Sequence, residues 1–205
     1  MLKLYWAPNT ISIAPALVLN EGGVHWEGIR VDFAAAEQTG AAYLAINPKG
    51  RVPALATPGG ILTEAGAIME YLAATAVPGM VPADPFHAAR MREVMYYLAS
   101  TMHVNHAHKV RGARWADKPE SWADMIAKVP QTMAASAAYV DALFEDGPLL
   151  FGDSMTLADA YLYVVASWLP GDGVDIADFP RLSRFMSAMR ARPSVAMLHD
   201  QGMLR

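Results

Sequence analysis

The chain has no cysteine, which removes disulfides, thiolate metal sites and a protein-borne thiol nucleophile together. Any thiol chemistry it performs has to use a thiol brought by a ligand. It has no apolar run near the ~20 residues that cross a bilayer, and Met1-Leu2-Lys3-Leu4-Tyr5 reads as an opening strand rather than a secretory leader. A soluble, cytoplasmic protein without a membrane partner is expected. Charge of one sign is scarce too: 16 Lys and Arg stand against 20 Asp and Glu, a net charge of −4, with no basic stretch of the kind that grips a nucleic acid. Charged residues make up 18% and hydrophobic ones 54%, a balance that excludes disorder and allows packed cores. The 205 residues suffice for one domain or two small ones.

The pattern along the chain changes once. Leu2 to Trp6 reads as a strand, stopped by Ala7-Pro8-Asn9-Thr10, and Ile13 to Leu19 as a helix closed by Gly22-Gly23. A second strand fits His25 to Phe33 and a short helix Ala41 to Ile46. Val52 to Ala56 and Gly60 to Leu62 form two strands around Pro58-Gly59-Gly60, and Glu64 to Ala74 is a helix with Ala65, Ile68, Met69 and Leu72 on one face. This order is that of an α/β thioredoxin-like domain, residues 1–75. A linker rich in Pro and Gly follows, residues 76–83, and Asp84-Pro85 supplies a helix N-cap with a first-turn proline. From there, residues 84–205 read as an all-α domain. Thr156-Leu157-Ala158-Asp159 is a capping-box variant, and Pro130 predicts a kink or a fresh helix start inside its segment.

The segment Asn47-Pro48-Lys49-Gly50-Arg51-Val52-Pro53-Ala54-Leu55, followed by Thr63-Glu64-Ala65, carries the most chemistry. A cis Val52-Pro53 bond, which proline makes accessible, would turn the Val52 N–H and C=O outward, where a peptide-like ligand can pair with them as an added strand. Glu64 and Ala65 stand at a helix start, where unpartnered N–H groups and the helix dipole attract a carboxylate. A backbone edge beside an anion socket suits a short acidic peptide.

Taken together, Tyr5-Trp6-Ala7-Pro8, Ile13-Ala14-Pro15, Asn47-Pro48-Lys49-Gly50, Val52-Pro53-Ala54-Leu55, Thr63-Glu64, and Phe151-Gly152 leading into Thr156-Leu157-Ala158-Asp159 make the chain resemble the cytosolic glutathione transferases, closest to their bacterial beta class. The resemblance implies the glutathione transferase fold and a homodimer with a detoxification role. It also implies that glutathione is bound as substrate by the N-terminal domain and a hydrophobic electrophile against the helical one, with no metal and no nucleic acid. By the same resemblance Val52, held by Pro53, pairs with the cysteinyl part of glutathione, the Glu64 side chain faces the γ-glutamyl ammonium and the Ala65 N–H its carboxylate. Relatives often carry a serine where Ala65 stands, so one hydroxyl bond worth ~1 kcal/mol is forgone. Ile11 falls at the cysteine position of the beta class, and Trp6 where many relatives have tyrosine. A lysine that some relatives direct at the glycyl carboxylate is replaced within Ala34-Ala35-Ala36.

Without that cysteine, a hydroxyl at the start of the first helix is the candidate for stabilising the glutathione thiolate, together with the helix N-terminus. Ser12 is preferred over Thr10, with Asn9 as a further amide donor and Ile11 beside them. The alternative is that Ser12 and Thr10 only cap the helix. His103 falls where this branch places a pocket histidine. His103 and His106 share a helical face, so they line the electrophile pocket with Trp6 and shuttle protons, or else face solvent or a partner. Their spacing is not the two-histidine zinc signature. Lys109, Arg111 and Arg114 either anchor the glycyl carboxylate or form a solvated face, and Trp115, Tyr163 and Trp168 either wall a pocket or fill the core. Conjugation of glutathione to hydrophobic electrophiles is the function these residues imply. A glutathione transferase-like binding protein and a glutathione-dependent peroxidase or reductase are the alternatives.

Overall fold

Strand β1 (Leu2–Trp6) sets the inner and outer faces of the first layer, burying Leu4 and Trp6 while Tyr5 turns to the other side. The computed structural model describes residues 1–204. Helix α1 (Ile13–Glu21) leads to β2 (Trp26–Arg30), which pairs with β1 in parallel. The short α2 (Ala41–Leu44) then precedes β3 (Ala54–Thr57) and β4 (Gly60–Thr63), and α3 (Ala65–Thr75) follows. The four-stranded sheet has the order β2-β1-β3-β4, with β3 antiparallel to both its neighbours. Leu17 and Ile68, on the mutually packed α1 and α3, are fully buried, as is Leu4. Tyr5, on the opposite face, meets Tyr43 of α2 edge-on at 5.9 Å. Two helices on one face and one on the other give the thioredoxin-like layering expected from the sequence.

The chain forms two compact units. One comprises Met1–Ala83 with the residues from Arg190 onward, and the other Asp84–Met189. The C-terminal end therefore departs from the expected 84–205 division. Helix α9 (Pro193–Asp200) packs on α1. The Asn20 amide donates to the Ser194 carbonyl at 3.4 Å and to Gln201 Oε1 at 3.2 Å, and the Glu21 carboxylate takes hydrogen bonds from Arg192 and Ser194. A late helix has thus become part of the early unit, through polar contacts that no local pattern announces.

The second unit is helical: α4 (Pro85–Tyr97), α5 (His103–Ala107), α6 (Pro119–Asp141), α7 (Leu157–Ala166) and α8 (Pro180–Arg190). Asp84 caps α4 by accepting from the His87 N–H at 2.9 Å, and that bond holds its carboxyl below the usual range. Asp159 at the start of α7 is fully buried and accepts from the Leu150 N–H at 2.9 Å and from both the N–H and the hydroxyl of Thr156 at 2.7 Å. Burial pushes its carboxyl up while these three bonds pull it back. No fresh helix starts at Pro130, since α6 runs from Pro119 to Asp141 as one helix. Pro130 is exposed, and the buried stripe of Val129, Met133, Ala137 and Val140 carries the helix past the lost backbone bond.

Candidate functional site

In the first unit the site lies at one end of the β3–β4 hairpin. Ala54 pairs with Thr63, so Val52 and Pro53, just before Ala54, and Glu64 and Ala65, just after Thr63, leave the ladder at the same end. The Val52-Pro53 bond is cis, which is the condition on which the outward-turned Val52 backbone depends, and the β1–β3 and β3–β4 pairings reach no residue ahead of Ala54 on that strand. Two buried polar side chains set this corner. The Asn47 amide, fully buried, donates to the Arg51 carbonyl at 2.6 Å and accepts from the Lys49 N–H at 3.2 Å, while the Tyr43 hydroxyl donates to the same Arg51 carbonyl at 2.7 Å. Burial pushes the Tyr43 phenol up to about 12, so it stays a neutral donor. Gly50 has φ of 61°, and an added Cβ would lie 3.0 Å from the Gln38 carbonyl oxygen, so both conformation and room require glycine there.

Glu64 sits immediately before α3 with φ of 71°, a left-handed conformation uncommon for a residue with a side chain. Its side chain is 70% exposed and Ala65 opens the helix with its N–H in the first turn. Lys49 spans the corner, donating to Thr63 Oγ1 at 2.7 Å and to the Glu64 carboxylate. This ion pair was not foreseen from the sequence. Its signal was present in the Lys49 of the Asn-Pro-Lys-Gly run, but only the strand register shows that Lys49 reaches Glu64.

At the start of α1 the structure separates the two hydroxyls by burial. Ser12 is fully buried, and its hydroxyl accepts from the Ala7 N–H at 3.1 Å and lies 2.6 Å from the Thr10 hydroxyl. It has no exposed surface to offer a ligand, and neither does it cap α1 with its side chain. Its work is to tie the turn after β1. Thr10 is only half-buried, with Oγ1 2.8 Å from the Ala7 carbonyl. Because Ser12 can donate to Thr10, the Thr10 proton can go either to Ala7 or to an outside acceptor. Asn9 is exposed with φ of 54°, and its N–H donates to the Met203 carbonyl. Ile11 is 8% exposed and Trp6 7%. Trp6 has its indole nitrogen beside Gly28, so it is a core residue of the first unit and has little surface with which to line an electrophile pocket.

The second unit brings His103 and His106 together around Trp168, with ring centroids 5.0 Å and 4.2 Å from the indole, the latter stacked at 22°. His106 Nδ1 lies 2.7 Å from Oδ2 of Asp172, whose side chain is fully buried. Lys109 donates to the Gly171 carbonyl and lies 3.5 Å from Oδ1 of the same carboxylate. Lys109 is thus engaged within its own unit. Trp115 packs edge-on against His108 at 4.6 Å. Asp172 was missed from the sequence, where Pro170-Gly171-Asp172-Gly173 reads as punctuation between helices. Its partner is 66 positions away, and no local spacing reports such a pairing. Among the described residues no group of three or more His, Asp and Glu side chains converges as a metal cage would require.

Comparison with known proteins agrees with both units. The model of the glutathione S-transferase N-terminal domain matches residues 1–74, and that of the C-terminal domain matches residues 90–193. The chain is 30% identical over 199 residues to a protein named glutathione S-transferase GstA from Escherichia coli O157:H7, covering 95% of each. It is 31% identical to a maleylacetoacetate isomerase from Pseudomonas aeruginosa, covering 97% of this chain and 95% of that one. Among solved structures, a glutathione transferase homolog from Sulfitobacter with bound glutathione superposes with a TM-score of 0.97 at 55% identity, covering 100% of this chain and 99% of the other. The hairpin corner, the hydroxyl turn and the helical unit are those of a member of the glutathione S-transferase family, to which this chain belongs.

Proposed function

We propose that the chain conjugates glutathione to hydrophobic electrophiles and binds the tripeptide at the hairpin corner of its first unit. The Val52 backbone pairs with the cysteinyl portion, the Glu64 carboxylate faces the γ-glutamyl ammonium, and the Ala65 N–H receives its carboxylate at the α3 start. The observation that carries this is the emergence of Val52 and of Glu64-Ala65 at the same end of the hairpin, next to an exposed carboxylate whose cation, Lys49, is one the ligand's ammonium can replace. Glutathione in the Sulfitobacter structure supports it.

Thr10 is the hydroxyl that stabilises the thiolate, with Ser12 supporting it from below. This inverts the ranking made from the sequence, because only Thr10 keeps accessible surface. In this reading the chain stands with the beta-class branch, with Ile11 at its cysteine position, and acts as a cytoplasmic homodimer. Phe86 and Tyr96 of α4, 70% and 67% exposed, are apolar surface consistent with a subunit contact.

The test is calorimetric titration with glutathione combined with the thiolate absorbance of the bound ligand across pH. Conjugation requires tight binding and a bound thiol that ionises at lower pH than the free one, each tenfold gain in its acidity being worth ~1.4 kcal/mol. The second reading, a glutathione-binding protein without efficient catalysis, is favoured by the fully occupied Ser12 hydroxyl. It predicts binding with a thiol that titrates as it does in water.

A further inference from the structure

Helix α9 ends in a way that fixes where the next residues go. Its last turn closes as a Schellman cap, the Gly202 N–H bonding to the His199 carbonyl and the Met203 N–H to the Leu198 carbonyl, each at 2.9 Å. Gly202 takes φ of 70° there, and an added Cβ would meet nothing within 4 Å, so conformation and not room selects glycine. The helix is held on α1 at both ends, with Arg192 and Ser194 on Glu21 at its start and Gln201 on the Asn20 amide at its finish. The Trp26 indole N–H of β2 donates to the oxygen of that same amide at 3.1 Å. Met203 and Leu204, which follow the cap, are both buried.

The carbonyl delivered by this cap reaches the turn after β1. The Met203 oxygen accepts from the Asn9 N–H at 3.0 Å. Asn9 is itself left-handed, with φ of 54°, a conformation that costs a residue with a side chain something even where it is an asparagine. Within the turn the hydroxyls do the closing, Thr10 on the Ala7 carbonyl and Ser12 on the Ala7 N–H. Those bonds flank Asn9 without holding its backbone. The Met203 carbonyl supplies a bond from outside the turn, on the residue whose dihedral angles decide how Thr10 leaves the chain.

We propose that Gly202 and Met203 are positioning residues for Thr10: the cap of α9 holds Asn9 left-handed and so keeps the Thr10 hydroxyl in the orientation from which it donates to the glutathione sulfur. This rests on the assignment of Thr10 above. A hydrogen bond to a thiolate is stronger than one to a neutral thiol, so a donor fixed in place makes the thiol more acidic, whereas one that must first be ordered gives up part of that preference. Thr10 also has a competing acceptor in the Ala7 carbonyl, where its proton settles if the turn relaxes. The tether therefore bears on the acidity of the bound thiol and on turnover. It bears little on how tightly the tripeptide is held, because Val52, Glu64 and Ala65 belong to the hairpin corner and to α3 and not to this turn.

The experiment compares wild type, Gly202→Val and Gly202→Asn. A β-branched residue resists a positive φ and asparagine accepts it, so the first loosens the cap and the second keeps it. Three quantities are read: the exchange rate of the Asn9 amide by NMR, the pH at which the thiolate absorbance of bound glutathione appears, and kcat with chlorodinitrobenzene alongside calorimetric glutathione affinity. Gly202→Val is expected to speed Asn9 exchange, to make the bound thiol about threefold to tenfold less acidic, the span of one net hydrogen bond, and to lower kcat by a similar factor with affinity unchanged. Gly202→Asn should return all three readings towards wild type. Gly202→Ala, milder at positive φ, supplies the same readings if the valine variant does not fold. An Asn9 amide unprotected in wild type, an unchanged thiol acidity in a variant whose Asn9 has loosened, or a loss of affinity as large as the loss of turnover would overturn the proposal. A wild-type bound thiol that titrates as it does in water would instead count against the Thr10 assignment, and the amide exchange judges the tether independently of it.

Discussion

The two units present chemistry in opposite ways. In the first, the groups that the proposed glutathione site uses belong largely to the main chain: Val52 outside the ladder and the Ala65 N–H at the α3 start. They are set by buried side chains, Asn47 and Ser12, whose bonds run to the backbone and to a neighbouring hydroxyl. In the second, side chains gather instead: His103 and His106 lie against Trp168, and His106 is paired with Asp172 far along the chain. Main-chain recognition tolerates surface variation, because every residue has a C=O and all but proline an N–H. Side-chain chemistry does not, since a replaced side chain takes its donor or acceptor with it.

The largest effect should come from the support of the main-chain corner. Asn47→Ala leaves the Arg51 carbonyl with one donor fewer and the Lys49 N–H without its acceptor. A loss of about 2–3 kcal/mol in unfolding free energy is expected, with weaker glutathione binding, by denaturant unfolding and calorimetry. Lost stability with unchanged affinity would show that the corner is not what holds the ligand.

Next comes the hydroxyl pair. Thr10→Val should lower kcat by about tenfold to a hundredfold, in line with the removal of one donor to a developing or held charge, while glutathione affinity changes little. Ser12→Ala should mainly reduce stability, by ~1–2 kcal/mol, because the buried Ala7 N–H loses its acceptor. If the two variants lose turnover equally, the distinction between donor and support disappears.

Glu64 sharpens the comparison, as the side chain in the first unit most directly aimed at a ligand. Glu64→Gln should weaken glutathione binding about tenfold, or ~1.4 kcal/mol, without a change in melting temperature. Glu64→Gly should weaken binding similarly but raise stability, because glycine accepts φ of 71° without strain. A glycine variant that is less stable would mean that the strain is absent.

The smallest effect concerns the tie between α1 and α9. Burial raises the Glu21 carboxyl, but the bonds from Arg192 and Ser194 and the Arg192 charge outweigh it, leaving the group below its ordinary value. A depressed folded value means that this contribution is present above the ordinary glutamate range near 4.5 and is lost as pH falls below it. Glu21→Gln should therefore cost no more than the ~1 kcal/mol of a partly solvated pair at neutral pH, with the difference from wild type vanishing in acid. A pH-independent difference in thermal melts would assign the effect to packing.

What the sequence disclosed follows the same division. The strands, the hairpin corner and the capped starts of α4 and α7 were legible, because prolines, glycines and capping residues act on their immediate neighbours. Pro130 left a kink and a fresh start open, and the helix is continuous because the apolar stripe from Val129 to Val140 overrides a single missing bond. Which of Ser12 and Thr10 is buried was not legible, because two hydroxyls two positions apart differ only in which faces inward. The return of α9 to the first unit and the link from His106 to Asp172 were invisible, being made across long stretches of chain by groups with no local signature.

Leu98–Met102 form a π-helical turn between α4 and α5, which has one more consequence. A helix that closes one hydrogen bond over five residues holds an extra position relative to a regular coil, so everything after it is rotated by about 100°. Deleting a single amino acid there would keep the rod intact yet swing both imidazoles round the axis, away from the indole and the acid. The packing of both imidazoles therefore depends on the phase of a helix as much as on which residues it contains.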